Sequence, residues 1–195
     1  GRHPIYRAEW DGRSFTLVHP GVGAPLAVGL MEEVIARGGR AFVACGGAGV
    51  LDSDLAVGHI VIPTAAVRDE GTSYHYQPPS RAIEADREVI AALEAVLQRY
   101  DVPYVLGKTW TTDAFFRETP AKVARRRDEG CVTVEMETAA FIAVARFREV
   151  PFGQLLYGGD DVSGETWDAR DWVARTDVRE AMVWLAAEAC LSLDG

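Results

Sequence analysis

Apolar and polar positions change their spacing several times along this chain, and each change marks an element. At the start, "PIYRAEW" and "RSFTLVHP" flank Asp11-Gly12, a turn signal that predicts a hairpin of two short strands. From about Leu26 to Arg37 apolar residues return at helical spacing, and Gly38-Gly39 close the run. "AFVAC" (41–45) reads as a short buried strand ending in a glycine turn, "GGAG", and "GHIVIP" as another strand. The following "AAVRDEGTSYHYQPP" is extended and then irregular. Helical spacing resumes from about Glu84 to Tyr100. "YVLGKTW" predicts a strand leading into "TTDAFFRETP", and "AKVARRRDEG" a charged helix stopped by Gly130. "CVTVEM" is a strand and "ETAAFIAVARFR" a helix with few polar positions. "FGQLLYGG" predicts a strand that spills into the acidic loop "DDVSGETWDARDW", before an amphipathic helix over about Val178–Leu191.

Strands that alternate with helices, with glycine-rich turns after the strands, predict an α/β domain around a largely parallel sheet. No repeat, low-complexity segment or linker divides the chain, so residues 1–195 read as a single domain. In such sheets ligands gather outside the carboxyl ends of the strands. "GVGAP", "CGGAG", "TTDAFF", "EMET" and "GGDD" are all predicted at those ends. Five unusual segments on one edge point to a site.

Composition narrows the partners. A length of 195 residues suits one domain, and 48% apolar with 25% charged residues is the soluble norm. Twenty basic against 29 acidic side chains leave a net charge of −9, which repels nucleic-acid phosphates. No apolar run approaches the roughly 20 residues that span a bilayer, and the polar start "GRHPIYRAEWDG" carries no signal-peptide pattern. Cys45, Cys131 and Cys190 are odd in number and far apart, against a disulfide framework or a zinc site and in keeping with a reducing cytoplasm.

The chemistry sits in the five segments. The glycines of "GVGAP" (21–25) and "CGGAG" (45–49) either bare backbone N–H groups to an anion or merely permit tight turns and close packing. Leu26 stands where a dinucleotide fingerprint needs its third glycine. In "TTDAFF" one phenylalanine ring can stack on a flat heterocycle, or both can be core, while Asp113 can serve as a turn or cap. If the strand at "VEMETAAF" persists to Glu137, then Glu135 and Glu137 share a face, where acceptor-only carboxylates suit the hydroxyls of a sugar. Met136 would then offer a ring an adaptable apolar surface. The other reading is a pair of acids complementing a helix dipole. Asp160 and Asp161 can raise each other's pKa if part-buried and so ready a general acid, or they can be ordinary turn residues; their spacing does not match a calcium loop. Ser73 and His75 lack the G-x-S-x-G elbow of a hydrolase, and the run Arg125–Arg127 is most simply a solvated helix face.

Taken in order, "GVGAP", "ACGGAGVLDSDLAVGHIVIPTAAVRDEGTSYHY", "TTDAFF", "VEMETAAF" and "GGDD" resemble the nucleoside phosphorylase/uridine phosphorylase superfamily over about residues 5–165. The resemblance implies an α/β/α three-layer sandwich around a mixed, largely parallel sheet, and a homo-oligomer, either a dimer or a trimer of dimers. It implies a phosphorylase that splits a nucleoside, by preference a purine one, with phosphate and no cofactor. Glu137 would bind the ribose hydroxyls with Met136 and Glu135 helping, and Phe115 would stack on the base or flank the sugar. Asp160, with Asp161 next in line, would protonate the leaving purine. Thr112, Cys45, Gly46 and Gly47 complete the candidates for substrate contact. On the phosphate side the chain departs from the family. Its first strand and phosphate loop have no counterpart here, Phe42 occupies the place of a phosphate arginine, and Cys45 that of a serine or threonine. Only Gly23 and Arg2 remain as phosphate candidates. A phosphate-independent nucleosidase, or a non-catalytic nucleoside-binding relative, is the alternative.

Overall fold

Asp11 and Gly12 both adopt positive φ (48° and 72°), the turn that lets β1 (Ile5–Trp10) fold back on β2 (Arg13–Val18) with its natural twist. The structure, a computed structural model, describes residues 3–193. Beyond the hairpin the order is α1 (Ala24–Ala36), β3 (Phe42–Val50), β4 (Ile60–Asp69), β5 (Ala82–Glu84), α2 (Arg87–Arg99), β6 (Tyr104–Thr112), α3 (Pro120–Asp128), β7 (Cys131–Glu135), α4 (Thr138–Arg148), β8 (Phe152–Asp161) and α5 (Thr176–Leu193). Local chemistry sets several of these ends. Asp86 caps α2 by accepting from the Glu88 N–H at 2.8 Å, prolines open α1 and α3, and Gly130 (φ 84°) takes the left-handed turn after α3.

Six strands form the main sheet in the order β5-β4-β6-β7-β3-β8, and β4 also pairs with β8, so five of them close into a ring. The long ladders β3–β8, β4–β6 and β6–β7 are parallel; the short ones, β3–β7, β4–β5 and β4–β8, are antiparallel. Helices α1 and α4 pack on one face around Met31, Phe141 and Ile142. Helices α2 and α5 pack on the other around Leu93, Leu97 and Met182. The expected three-layer sandwich is therefore present.

Two expectations are corrected. "GGAG" is no turn: β3 continues through it to Val50, because residues 46–48 stay in register with Gly158 and its predecessors on β8. Arg126 is not solvated. It is 4% exposed and donates to Asp69 (2.9 Å) and Glu129 (3.1 Å), with its guanidinium over the Trp110 ring.

Candidate active site

Strand β7 ends at Glu135 and α4 begins at Thr138, so the strand does not persist to Glu137 as expected. The chain turns at Met136, and the two glutamates take different work. Glu135 is 7% exposed. Its Oε1 accepts from Thr111 Oγ1 at 2.6 Å, and its Oε2 accepts from the N–H groups of Glu137 (2.6 Å) and Thr138 (2.7 Å). Those N–H groups open the first turn of α4 and have no partner inside the helix, so Glu135 caps it. Thr111 stands opposite Glu135 in the β6–β7 ladder and accepts from the Ala139 N–H at 3.0 Å, which ties the cap to the sheet. Burial, with the Glu137 charge adding to it, pushes the Glu135 carboxyl up to about 7 against the pull of its three donors.

Glu137 is half-buried, and its Oε1 accepts from the Gly23 N–H at 2.5 Å. Gly23 caps α1 at φ 94°, a conformation that a side chain would strain. Burial raises the Glu137 pKa, and the N–H groups of Gly23 and Met136 lower it in part.

The end of β8 divides in the same way. Asp161 exchanges backbone hydrogen bonds with Asp168 (2.7 and 3.0 Å), accepts from the Ser163 N–H at 2.8 Å and lies 3.9 Å from Arg170. It pins the acidic loop. Asp160 is half-buried and accepts from Trp167 Nε1 at 2.6 Å. The carboxyl it acts on is Glu118: burial, and then the Asp160 charge, push Glu118 up to about 7, while Lys122 opposes them. Sequence reasoning sought that coupling within the adjacent aspartates. Glu118 lies after the Phe115–Arg117 turn, and nothing in "RETP" signals that it faces Asp160.

The remaining candidates are scattered more widely. Phe115 and Phe116 lie in one 3₁₀ turn, 49% and 90% exposed, with ring centroids 4.1 Å apart; neither enters the core, and they are not on opposite sides of a strand. Met136 is half-buried at the turn between β7 and α4. Thr112 is buried and accepts from the Ala114 N–H at 3.2 Å, shaping the loop ahead of Phe115. Gly46 faces open space, whereas a Cβ on Gly47 would sit 3.1 Å from the Tyr157 ring and 3.3 Å from Trp172, so Gly47 is a packing glycine. Cys45 packs toward α2 and α5, and burial pushes its thiol up to about 11. Arg2 lies outside the described residues. Ser73 is fully buried, donating its hydroxyl to Glu70 and accepting from Arg68, which leaves no free nucleophile there.

The ladders bring these strand ends together. Thr111 pairs with Glu135, Gly49 with Val134, and Val50 with Asp161, so the carboxyl ends of β6, β7, β3 and β8 adjoin in that order. A Cβ on Gly49 would lie 3.7 Å from Asp160 Oδ1. Such an edge, with carboxylates at a sheet's carboxyl end, defines an α/β ligand-binding protein. Residues 1–190 match the phosphorylase superfamily, and the chain belongs to that family. It is 28% identical over 186 residues to the guanosine phosphorylase of Halorubrum lacusprofundi, covering 92% of this chain and 77% of that protein. It is 32% identical over 117 residues to the uridine phosphorylase of Thermococcus kodakarensis, covering 58% of this chain but only 42% of that protein. Its fold superposes with a TM-score of 0.87 on the purine nucleoside phosphorylase of Toxoplasma gondii in complex with immucillin-H, at 22% identity, over 98% of this chain and 79% of the other. No described helix is long and apolar enough to cross a membrane.

Proposed function

We propose that this chain is the catalytic domain of a nucleoside phosphorylase, cleaving a purine nucleoside with phosphate to free base and ribose-1-phosphate. Residues 1–195 act in this reading as a single domain. The observation that carries the reading is the division within the two acidic pairs. Glu135 caps α4 and Asp161 pins the acidic loop, while Glu137 accepts from the Gly23 N–H and Asp160 from the Trp167 indole at strand ends separated only by β3. Glu137 accepts from the ribose hydroxyls. Met136 and Phe115 border the sugar and base, with Gly46 and Thr112 shaping the floor.

As the bond from the anomeric carbon to the base nitrogen breaks, its electron pair passes to the purine. Asp160 gives a proton to that ring, a general-acid contribution of about 10²–10⁴-fold. A phosphate oxygen then bonds to the anomeric carbon. With the Gly23 N–H already given to Glu137, Arg2 is the phosphate contact of this reading, and a homo-oligomer, tested by sedimentation mass, is part of it.

One observation favours hydrolysis instead. Phe42 packs into the α1–α4 core and Cys45 toward α5, so neither offers a charge to a dianion. Incubation with inosine, guanosine, adenosine, methylthioadenosine and uridine, with and without phosphate, separates the readings. Purine release that requires phosphate and yields ribose-1-phosphate supports the phosphorylase. Release without phosphate makes the chain a nucleosidase, and binding without release makes it a non-catalytic relative.

A further inference from the structure

Glu118 feels the Asp160 charge from the segment that carries Phe115, and the proposed reaction gives it no task. That segment is tightly wound. The Asp113 carboxylate accepts from the Gly71 N–H at 2.9 Å, and Thr112 Oγ1 from the Ala114 N–H at 3.2 Å. The carbonyls of Ala114 and Phe115 accept from the N–H groups of Arg117 (2.8 Å) and Glu118 (3.3 Å). In a 3₁₀ turn residues three apart lie on one side, so Phe115 and Glu118 project together. Just past Asp160, Val162 packs against Trp110 and Val123, and Val123 belongs to α3, which opens just after Glu118. One apolar cluster thus holds the end of β8 against the start of α3, and that packing brings Asp160 within reach of Glu118.

The fold gives this carboxyl no donor. Among the described residues no N–H or O–H group donates to it, and Thr119, not Glu118, stands at the N-cap of α3. Lys122 leans instead toward Asp69 at 3.9 Å. Yet Glu118 is half-buried. A carboxyl drawn out of water without donors is costly, and a ligand that brings donors to it relieves that cost.

We propose that Glu118 reads the six-membered ring of the purine and selects guanine over adenine, an inference that rests on the purine reading of the site. With Asp160 at the five-membered ring and Phe115 against its face, the base turns its far edge toward Glu118. Guanine presents two adjacent donors there, N1–H and the 2-amino group, which match the two oxygens of a carboxylate. The base of inosine presents N1–H alone. Adenine presents a bare N1 lone pair, which an ionised carboxylate repels. A site built to hydrogen-bond its substrate rejects an analogue lacking the donors far more strongly than an apolar pocket can.

The test compares guanosine, inosine and adenosine by steady-state cleavage, with and without phosphate, and by titration calorimetry. In the wild type kcat/KM should fall in that order, by about 10–100-fold for each donor lost. Glu118→Gln should turn the preference around, because its amide donates to adenine N1 and accepts from the 6-amino group. Guanosine should lose about 10–100-fold and adenosine should gain, at an unchanged melting temperature. Glu118→Ala should lose the guanosine preference with no gain for adenosine. Acidity supplies a second readout. Burial and the Asp160 charge of β8 push Glu118 up to about 7 against Lys122 of α3, and a protonated Glu118 donates to adenine N1. The guanosine-to-adenosine ratio should therefore rise with pH, by up to about ten-fold per unit around neutrality, and be flat in Glu118→Gln. Asp160 and Glu137 act on both substrates and cancel in that ratio. A lower melting temperature in Glu118→Gln, with all three nucleosides slowed alike, means a structural carboxyl and overturns the proposal. Purine cleavage without preference, or with one that Glu118→Gln leaves in place, also overturns it and leaves the phosphorylase reading standing. Neither cleavage nor binding of any nucleoside overturns both.

Discussion

The β7–α4 junction and the end of β8 solve one problem twice. Each presents two neighbouring carboxylates at a strand end, and in each the fold takes one and leaves the other. At β7 the earlier residue is taken: Glu135 is buried under three donors, while half-buried Glu137 leans on the Gly23 and Met136 N–H groups. At β8 the later residue is taken: Asp161 holds Ser163 and Asp168, while Asp160 meets only an exposed indole. The lesson is that an acidic doublet at a strand end is not a site of two equal members. A carboxylate that caps a helix or pins a loop is taken out of the chemistry, and its neighbour inherits a fixed position.

The strongest way to break this comparison is at β8. Asp160→Asn should lower kcat for purine cleavage by about 10²–10⁴-fold with an unchanged melting temperature. Asp161→Asn should instead shift the melting temperature and leave kcat within a few-fold. Steady-state kinetics beside thermal melts decide it, and exchanged behaviour would mean that the roles at β8 are reversed. The matching test at β7 is Glu137→Gln, which removes the charge that accepts from a sugar. A rise of about 10–100-fold in nucleoside KM, at constant fold stability, is expected from the loss of one charge-assisted hydrogen bond.

Much of this arrangement was legible beforehand, and the misses have physical causes. The strand–helix alternation, the hairpin at Asp11-Gly12 and the order of the five segments follow from periodicity and turn chemistry, which are local. The three-residue β5 is too short to show a period, and "GGAG" mimics a turn because glycine carries no β signal, although its register with β8 holds it in β3. Gly23 on Glu137 and the Asp160 charge felt by Glu118 join distant segments, and Trp167 reaches Asp160 across an irregular loop, so no spacing rule finds them. Arg126 looked solvated because its neighbours are, but Asp69, at the end of β4, and the Trp110 ring of β6 draw it inward.

Glu135 permits a sharper test of what the fold has taken. Its carboxyl is pushed up to about 7, above the ordinary carboxylate range, so the folded state holds a proton that the unfolded chain releases. Its contribution is fully present below about pH 4.5 and is lost as pH rises through about 7. Urea midpoints should therefore fall between pH 5 and pH 8 in the wild type, and the slope should flatten in Glu135→Gln, which mimics the protonated form. Glu135→Ala should cost about 1–3 kcal/mol at either pH by orphaning the first N–H groups of α4. A slope unchanged in Glu135→Gln would pass the pH dependence to Glu118, the other carboxyl pushed up to about 7.

The smallest expected effect concerns what steadies the carboxylate that β8 leaves free. Trp167 is 65% exposed, yet its Nε1 donates to Asp160 Oδ2 at 2.6 Å, the one side-chain hydrogen bond to the acid among the described residues. Trp167→Phe keeps an aromatic surface and deletes the donor. Because the indole is solvent-exposed, water replaces most of the lost bond, leaving a deficit of about 1 kcal/mol, or about five-fold in kcat, with KM and melting temperature unchanged. The sign carries the information. A lower kcat means that the indole aims Asp160 at the base, whereas a higher kcat means that it holds the carboxylate back until substrate displaces it.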